Sequence, residues 1–121
     1  MSVTHVTAAR NGLADFIVDQ LDSGFVEIRT SGDVEVATLP LAATAFGAAS
    51  SGVATAGTIT DDSSATGGTA AKAALQTSAP ADVVLCSVTA TGMGGDIELS
   101  SVTIGAGATV SLTSLTYESA P

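Results

Sequence analysis

Short segments in which apolar and polar residues alternate, divided by glycine-rich or polar turns, make up most of the chain after residue 24. An alternation of period two places successive side chains on opposite faces of a β-strand. The segments recur at intervals of about 8–12 residues, which is typical of sandwiches and barrels. We therefore expect a mainly β fold, a β-sandwich or jelly-roll-like barrel, with strands between about residues 25 and 117. The predicted strands are 25–30, 34–39, 53–59, 71–75, 83–89, 97–99, 102–104 and 110–117.

The first two strands are expected to form a hairpin. Val26 and Ile28 alternate with charged neighbours, and a short turn at 31–33 leads into the returning strand. Pro40 has no backbone N–H, so it ends this hairpin or marks a sheet edge. In the connection 40–52, Phe46 is the one large side chain and is expected to anchor it.

The alanine-rich segment 71–75 is open to two interpretations. Its composition suits a helix as well as a strand, and the flanking Thr69 and Thr77 favour the strand.

One α-helix is predicted near the N-terminus, over about residues 7–23. Thr7 is a suitable N-cap, and Gly24 stands where a left-handed C-cap is favourable. The apolar residues at helical spacing, which should pack against the sheet, are Ala9, Leu13, Phe16, Ile17 and Leu21. The charged residues expected away from this face are Arg10, Asp15, Asp19 and Asp22.

The length of 121 residues fits one domain spanning 1–121. Hydrophobic residues make up 45% of the chain, but many are alanine, and there are no Trp, one Tyr and three Phe. The core should therefore consist of small and branched aliphatic side chains, each contributing ~1.5–3 kcal/mol when buried. Association of subunits would add burial that a monomer with such a core lacks. The expected core residues are Val26, Ile28, Leu39, Leu85, Ile97, Ile104 and Leu112.

The formal net charge is −9, from twelve acidic residues against Arg10, Arg29 and Lys72. Nucleic acid and anionic membranes both attract basic surfaces, so neither is an expected partner. No run approaches the ~18 apolar residues of a membrane span, and residues 1–12 lack the apolar region of a secretory signal. We expect a soluble protein whose negative charge limits aggregation.

Nucleophilic catalysis needs a thiol or hydroxyl beside a base. Cys86 is the single cysteine, which rules out an intrachain disulfide and suits synthesis in a reducing cytoplasm. It lies within a predicted strand, where a small filler of the core or an interface is the ordinary role. His5, the single histidine, lies near the N-terminus and is not expected to act as its base. The sequence thus indicates no enzyme and no catalytic residues.

No metal or cofactor site is predicted either. Zinc needs three or four His, Cys or carboxylate ligands, and the chain has one His and one Cys. Asp61 and Asp62 with the following serines form either a solvated acidic turn or a weak cation site, but the pattern of a calcium loop is absent.

Two further patterns have structural interpretations. Glu27 and Glu35 could face each other across the hairpin, but pairing of Glu35 with Arg29 would explain them as a solvated strand face. The glycines at 92, 94 and 95 precede a strand rather than a helix, so they indicate a turn and not a phosphate loop. A lone Tyr117 is a poor aromatic platform for a carbohydrate site.

Four segments, in this order, resemble the small virion structural proteins of tailed bacteriophages, of the head-decoration or capsid-cement type. They are AARNGLADFIVDQLDSG at 8–24, VEIRTSG at 26–32, ATLPLAATAFGAASSGVATA at 37–56 and GGDIELSSVTIGAGATVSLTSLTY at 94–117. Together they cover most of the chain, and the resemblance lies in their combination.

The resemblance implies a virion component on the capsid surface, made in the host cytoplasm, with the major capsid protein and copies of itself as partners. It further implies a homotrimer and no catalytic or cofactor residues. A tail or head–tail connector protein is the alternative in the same particle. A ligand-binding β-sandwich is a more distant alternative, since it would need an exposed aromatic or metal-centred site.

Overall fold

The computed structural model describes residues 4–112 and 115–118, and within them the chain is mainly β with one helix near the N-terminus. Residues 1–3 and 119–121 of the predicted domain, and 113–114 of the last predicted strand, lie outside the described residues. The predicted fold class is confirmed, and the curled sheets are compatible with a sandwich or barrel. The described elements are α1 (Thr7–Asp19), β1 (Phe25–Arg29), β2 (Glu35–Pro40), β3 (Val53–Thr55), β4 (Gly68–Thr69), β5 (Lys72–Gln76), β6 (Asp82–Ala90), β7 (Ile97–Leu99), β8 (Thr103–Ile104) and β9 (Thr116–Glu118).

The largest sheet has the strand order β2-β1-β5-β6-β7. The β1–β2, β1–β5 and β5–β6 pairs are antiparallel. Strand β7 runs parallel to β6 and pairs only with the last three residues of β6, Val88–Ala90. Two smaller antiparallel pairs, β3–β9 and β4–β8, complete the described strands. The short reach of β7 leaves most of β6 without a strand neighbour on that side in the described chain.

The hairpin prediction is confirmed. β1 pairs with β2 from Phe25↔Pro40 to Arg29↔Glu35, and Asp33 in the turn has a positive φ of 65°. Pro40 ends β2, which is an edge strand. The alanine-rich segment is also a strand, since β5 lies at the centre of the sheet.

Two predicted strands are shorter than expected. The segment 53–59 forms β3 only to Thr55, after which Ile59 makes a single antiparallel bridge to Leu41. The segment 110–117 forms a bridge between Val110 and Asp62, and then β9 begins at Thr116.

Small aliphatic side chains from all the larger elements form the core. Of the seven expected core residues, five are buried: Val26, Ile28, Leu39, Ile97 and Leu112. Ile104 is half-buried, and the expectation for Leu85 is wrong because its side chain is 70% exposed. Phe46 is buried, as predicted for the anchor of the 40–52 connection.

The predicted buried face of α1 is confirmed at Leu21, which lies just beyond the helix, and Ile17 is half-buried, but the prediction is wrong at Ala9, Leu13 and Phe16. Phe16 is 69% exposed and Leu13 42% exposed, while Ala14 and Val18 are the buried residues of the helix, followed by Leu21 beyond its end. The helix contacts β3 and β9. A small residue such as Ala14 at the contact lets the helix approach a strand closely, and the larger Phe16 is turned outward.

The predicted caps of α1 also differ from the structure. The N-cap is Val6, with no side-chain hydrogen bond, and the helix ends at Asp19 with Gln20 as C-cap. Ser23, with φ 56°, takes the left-handed conformation expected of Gly24. Gly24 is required for another reason: a Cβ there would overlap the carbonyl oxygen of Gln76.

Candidate functional site

Cys86 lies in the middle of β6 and is half-buried. Its Sγ donates a hydrogen bond to the carbonyl oxygen of Ala73 at 3.6 Å. Burial, and then the negative charge of Asp96, raise the pKa of Cys86 to about 11. The thiolate is the nucleophilic form, so this thiol is poorly suited to covalent chemistry at neutral pH. His5 lies just before α1 and is partly buried.

The carboxylate of Asp62 joins two parts of the backbone. One oxygen accepts from the N–H of Thr38 and the other from the N–H of Ser64, each at 2.9 Å. One oxygen therefore holds the 61–64 loop against β2, and the other fixes the turn within that loop. Within residues 4–112 and 115–118, no group of three or more His, Cys, Asp or Glu could hold a metal ion.

Arg29 does not pair with Glu35, although the two residues lie opposite each other in the hairpin. Its guanidinium instead contacts Glu27 at 2.6 Å and Asp82 on β6 at 2.9 Å. Glu35 accepts from the hydroxyls of Thr38 and Thr66. The expected Glu35–Arg29 ion pair is wrong because Asp82, two strands away, offers the guanidinium two carboxylate oxygens at once.

The glycines at 92–95 form a turn that leads into β7, as predicted. Gly92 and Gly94 have positive φ values of 87° and 83°. The N–H of Gly94 donates to Glu98, and the N–H of Gly95 donates to the hydroxyl of Thr89, both at 3.0 Å. The N–H groups of Gly94 and Gly95 are thus used within the protein.

The polar face of α1 is turned toward the protein. Asn11 and Asp15 accept hydrogen bonds from the backbone N–H groups of Gly52 and Ala49, both at 2.8 Å. Asp22, just beyond the helix, accepts from the N–H of Ala45 at 2.9 Å. These acceptors anchor the 45–52 loop; the sequence placed Asp15 and Asp22 only away from the predicted apolar face and assigned no role to Asn11. The only sequence signal for this role was the presence of short Asn and Asp side chains on one side of the helix, together with a connection at 40–52 that has no strand or helix pattern of its own.

The opposite face of α1 forms an exposed apolar stripe, consisting of Val6, Ala9, Leu13 and Phe16. The spacing of three and four residues places them on one side of the helix. Val6 is 73% and Phe16 69% exposed, and none of the four carries a charge. An amphipathic helix that turns its largest apolar side chains to solvent is unusual for an isolated domain.

A groove of about 380 Å³ lies between β6 and the segment 115–118. Its lining is largely apolar: Leu75, Val84, Leu85, Cys86, Ile97, Leu115 and Tyr117, with Asp96, Thr116 and Glu118. Leu85 was expected in the core and Tyr117 had no expected role, because the groove is made by residues about thirty positions apart and has no local sequence pattern.

Comparisons with protein-family models, with curated proteins and with solved structures give no match to this chain. In the described part of the chain, no helix has the length and apolar character needed to cross a membrane.

Proposed function

We propose that this chain is a structural protein that assembles with other protein subunits and performs no catalysis, of the capsid-decoration type that its sequence resembles. The observation that carries the proposal is the apolar stripe of α1 and its N-cap, whose side chains Val6, Leu13 and Phe16 remain exposed while Ala14 and Val18 of the same helix are buried. Exposed apolar surface of this kind marks contacts between proteins.

Charge favours a second copy of the chain as the occupant of the stripe. Copies with a net charge of −9 repel one another over most of their surfaces. The stripe has no charged member, so it is a face on which copies approach without bringing like charges into contact. Association there would bury Phe16 and Leu13 and supplement a core of small side chains. The homotrimer implied by the family resemblance is the assembly we propose.

A trimer that attaches to several shell subunits gains avidity from simultaneous weak contacts. That is the physical basis for a cement protein on the outer capsid surface, with the major capsid protein as its partner. The pKa of about 11 at Cys86 agrees with a role that does not use its thiol.

The test uses the phage whose genome carries this chain. Particles lacking the protein should assemble but break at a lower temperature, and purified protein should restore heat stability. A Cys86→Ser protein should restore it equally well, whereas Leu13→Ser/Phe16→Ser should not.

A reconstruction of the particle should place copies over junctions of the shell. Unchanged heat stability on deletion, or absence of the protein from the shell, would contradict the proposal. A ring of copies on the tail axis would replace it with the connector alternative. Loss of a chemical activity in a folded Cys86→Ser protein would contradict the non-enzymatic role.

A further inference from the structure

The outer edge of β6 is open over most of its length. β7 covers only Val88–Ala90. Between Asp82 and Ser87, β5 is the one strand of the described chain that pairs with β6. An uncovered strand edge presents backbone groups to which another extended segment can hydrogen-bond.

The register determines which groups face this edge. In an antiparallel pair, alternate residues bond to the partner strand and those between them point away. The N–H of Val88 donates to the carbonyl of Ala71, so Cys86 and Val84 also bond toward β5. Leu85 and Ser87 therefore direct their N–H and C=O groups to the open side. The contact of Ser87 supports this orientation: its N–H donates to the carboxylate of Asp96, the residue just before β7, and so points away from β5.

The groove lies directly along this edge. Val84, Leu85 and Cys86 line one side and the segment 115–118 the other. That second side includes β9, which pairs with β3 and with no other strand in the described residues. The groove is thus bordered by β6, whose outer edge is uncovered before Val88, and by β9, which has one strand partner in the described residues. An extended segment placed here would lie alongside Leu85, whose side chain is 70% exposed.

Negative charge surrounds the groove and is incompletely neutralised. Asp96 and Glu118 line it, and Glu98 lines a space of about 360 Å³ that shares Asp96 and Ile97 with it. Arg10 lies 3.8 Å from Glu118. The other two cationic residues form ion pairs elsewhere, so no Lys or Arg of the described chain pairs with Asp96 or Glu98.

We infer that this groove binds an extended segment of a partner protein by adding it as a strand to the open edge of β6, and that the segment carries Lys or Arg beside a short uncharged run. Backbone hydrogen bonds to Leu85 supply the register, and alternate side chains of the segment contact Leu85 and Tyr117. The acids at the rim select a basic partner and disfavour a second acidic copy of this chain. The inference adds a second surface to the self-association proposed for α1, and it holds whether or not the partner is a shell subunit.

The probe is a blocked seven-residue peptide, K-V-T-V-T-V-K, added to the ¹⁵N-labelled full chain. The inferred mode predicts chemical-shift changes at residues lining the groove, together with slower amide exchange at Leu85 on binding. A peptide N-methylated at the residues that face β6 lacks their N–H donors and places methyl groups against the edge, so it should bind much more weakly; the peptide methylated at the other alternate residues is its control. A peptide with glutamate at both ends should bind more weakly, as should the original peptide at high salt.

Variants separate the contributions. Leu85→Ser should weaken binding at least about five-fold, in the range of an interface hot spot. Val34→Ser, which alters a 62% exposed side chain outside the groove, should leave binding unchanged. Glu98→Gln should weaken it roughly two- to five-fold, as for an exposed ion pair.

Four outcomes would overturn the inference. They are no binding at millimolar peptide, equal binding of the peptide N-methylated at the residues that face β6, equal binding of the glutamate peptide, and Leu85 exchange that is already slow in the free protein. Slow exchange that depends on protein concentration would assign the edge to a second copy, and slow exchange at every concentration would assign it to the chain itself.

Discussion

Individual carboxylates in this protein accept hydrogen bonds that hold distant parts of the chain together. Asp62 joins its loop to β2, and Asp15 joins α1 to the 45–52 connection. Asp82 accepts from Arg29 on β1 and from Gln76 on β5. These acids therefore hold parts of the fold together in addition to contributing to the net charge of −9.

Asp82 predicts how stability depends on pH. Hydrogen bonds from Arg29, and then from Gln76, hold the pKa of Asp82 below its usual value. A depressed folded-state pKa stabilises the protein above the unfolded value of about 3.9, and this contribution is lost as the pH falls through the folded-state pKa. The free energy of unfolding should thus decrease below about pH 4. Asp82→Asn should lower it at pH 7 and flatten the decrease, as measured by urea unfolding from pH 7 to pH 2.

Asp61→Asn is the matched control, because it removes one charge from an exposed carboxylate of the same type. If both substitutions reduced the fall in the free energy of unfolding below pH 4 by the same amount, the role assigned to Asp82 would be contradicted.

We expect a glycine-to-alanine substitution to have opposite effects on stability at two positions of the chain. A Cβ at Gly24 would overlap the carbonyl oxygen of Gln76, so Gly24→Ala should cost more than about 3 kcal/mol or prevent folding. Gly12 lies within α1 with open space around it, so Gly12→Ala should stabilise the protein by about 0.5–1 kcal/mol. Thermal and urea unfolding measure both. A tolerated Gly24→Ala would contradict the close approach of the 24–25 backbone to β5.

At the scale of elements, local pattern and turn chemistry were sufficient for the hairpin, whereas the strand at β5 was favoured over a helix only by the flanking Thr69 and Thr77. Val26 and Ile28 alternate with charged residues, and the turn between the strands needs few residues. The orientation of α1 was not predictable in this way. Two faces of the helix were available, and the outcome depended on backbone donors at Ala49 and Gly52 that only the folded connection presents to Asp15 and Asn11.

The orientation of α1 predicts different roles for two leucines. Leu21 is fully buried, so Leu21→Ala should lower the free energy of unfolding by ~2–5 kcal/mol at every protein concentration. Leu13 is 42% exposed, so Leu13→Ala should cost less than about 1 kcal/mol in dilute solution. Its cost should grow with concentration as the wild type associates. Urea unfolding over a hundred-fold range of concentration measures the difference. A cost for Leu13→Ala as large as that for Leu21→Ala would restore the inward-facing prediction, and a small cost that does not change with concentration would contradict association through α1.

At the scale of the whole molecule, the sequence predicted the fold class but not the sheet order. The parallel pairing of β6 with β7 follows a turn of about six residues, whereas parallel neighbours ordinarily need a longer crossover. Because β7 is short, β6 keeps an open edge, and the groove beside it depends on a segment thirty residues away. Neither the groove nor the exposure of Leu85 has a local signature, since an isolated leucine in an alternating strand resembles a core residue.

Two surfaces of different character are proposed as contacts of this small protein. The apolar stripe of α1 is uncharged and suits copies of the chain, while the groove at β6 is bordered by acids and suits a basic segment of another protein. Together they would let a symmetric oligomer attach to several sites on a larger assembly, where weak contacts combine.

The mass of the protein in solution, measured by sedimentation equilibrium from micromolar concentration upward, tests self-association through α1 most directly. We expect a trimer for the wild type and for the control Val34→Ser, and a folded monomer for Leu13→Ser/Phe16→Ser. Circular dichroism confirms that the double variant remains folded. A wild type that stays monomeric throughout, or a double variant that still forms the trimer, would contradict the account.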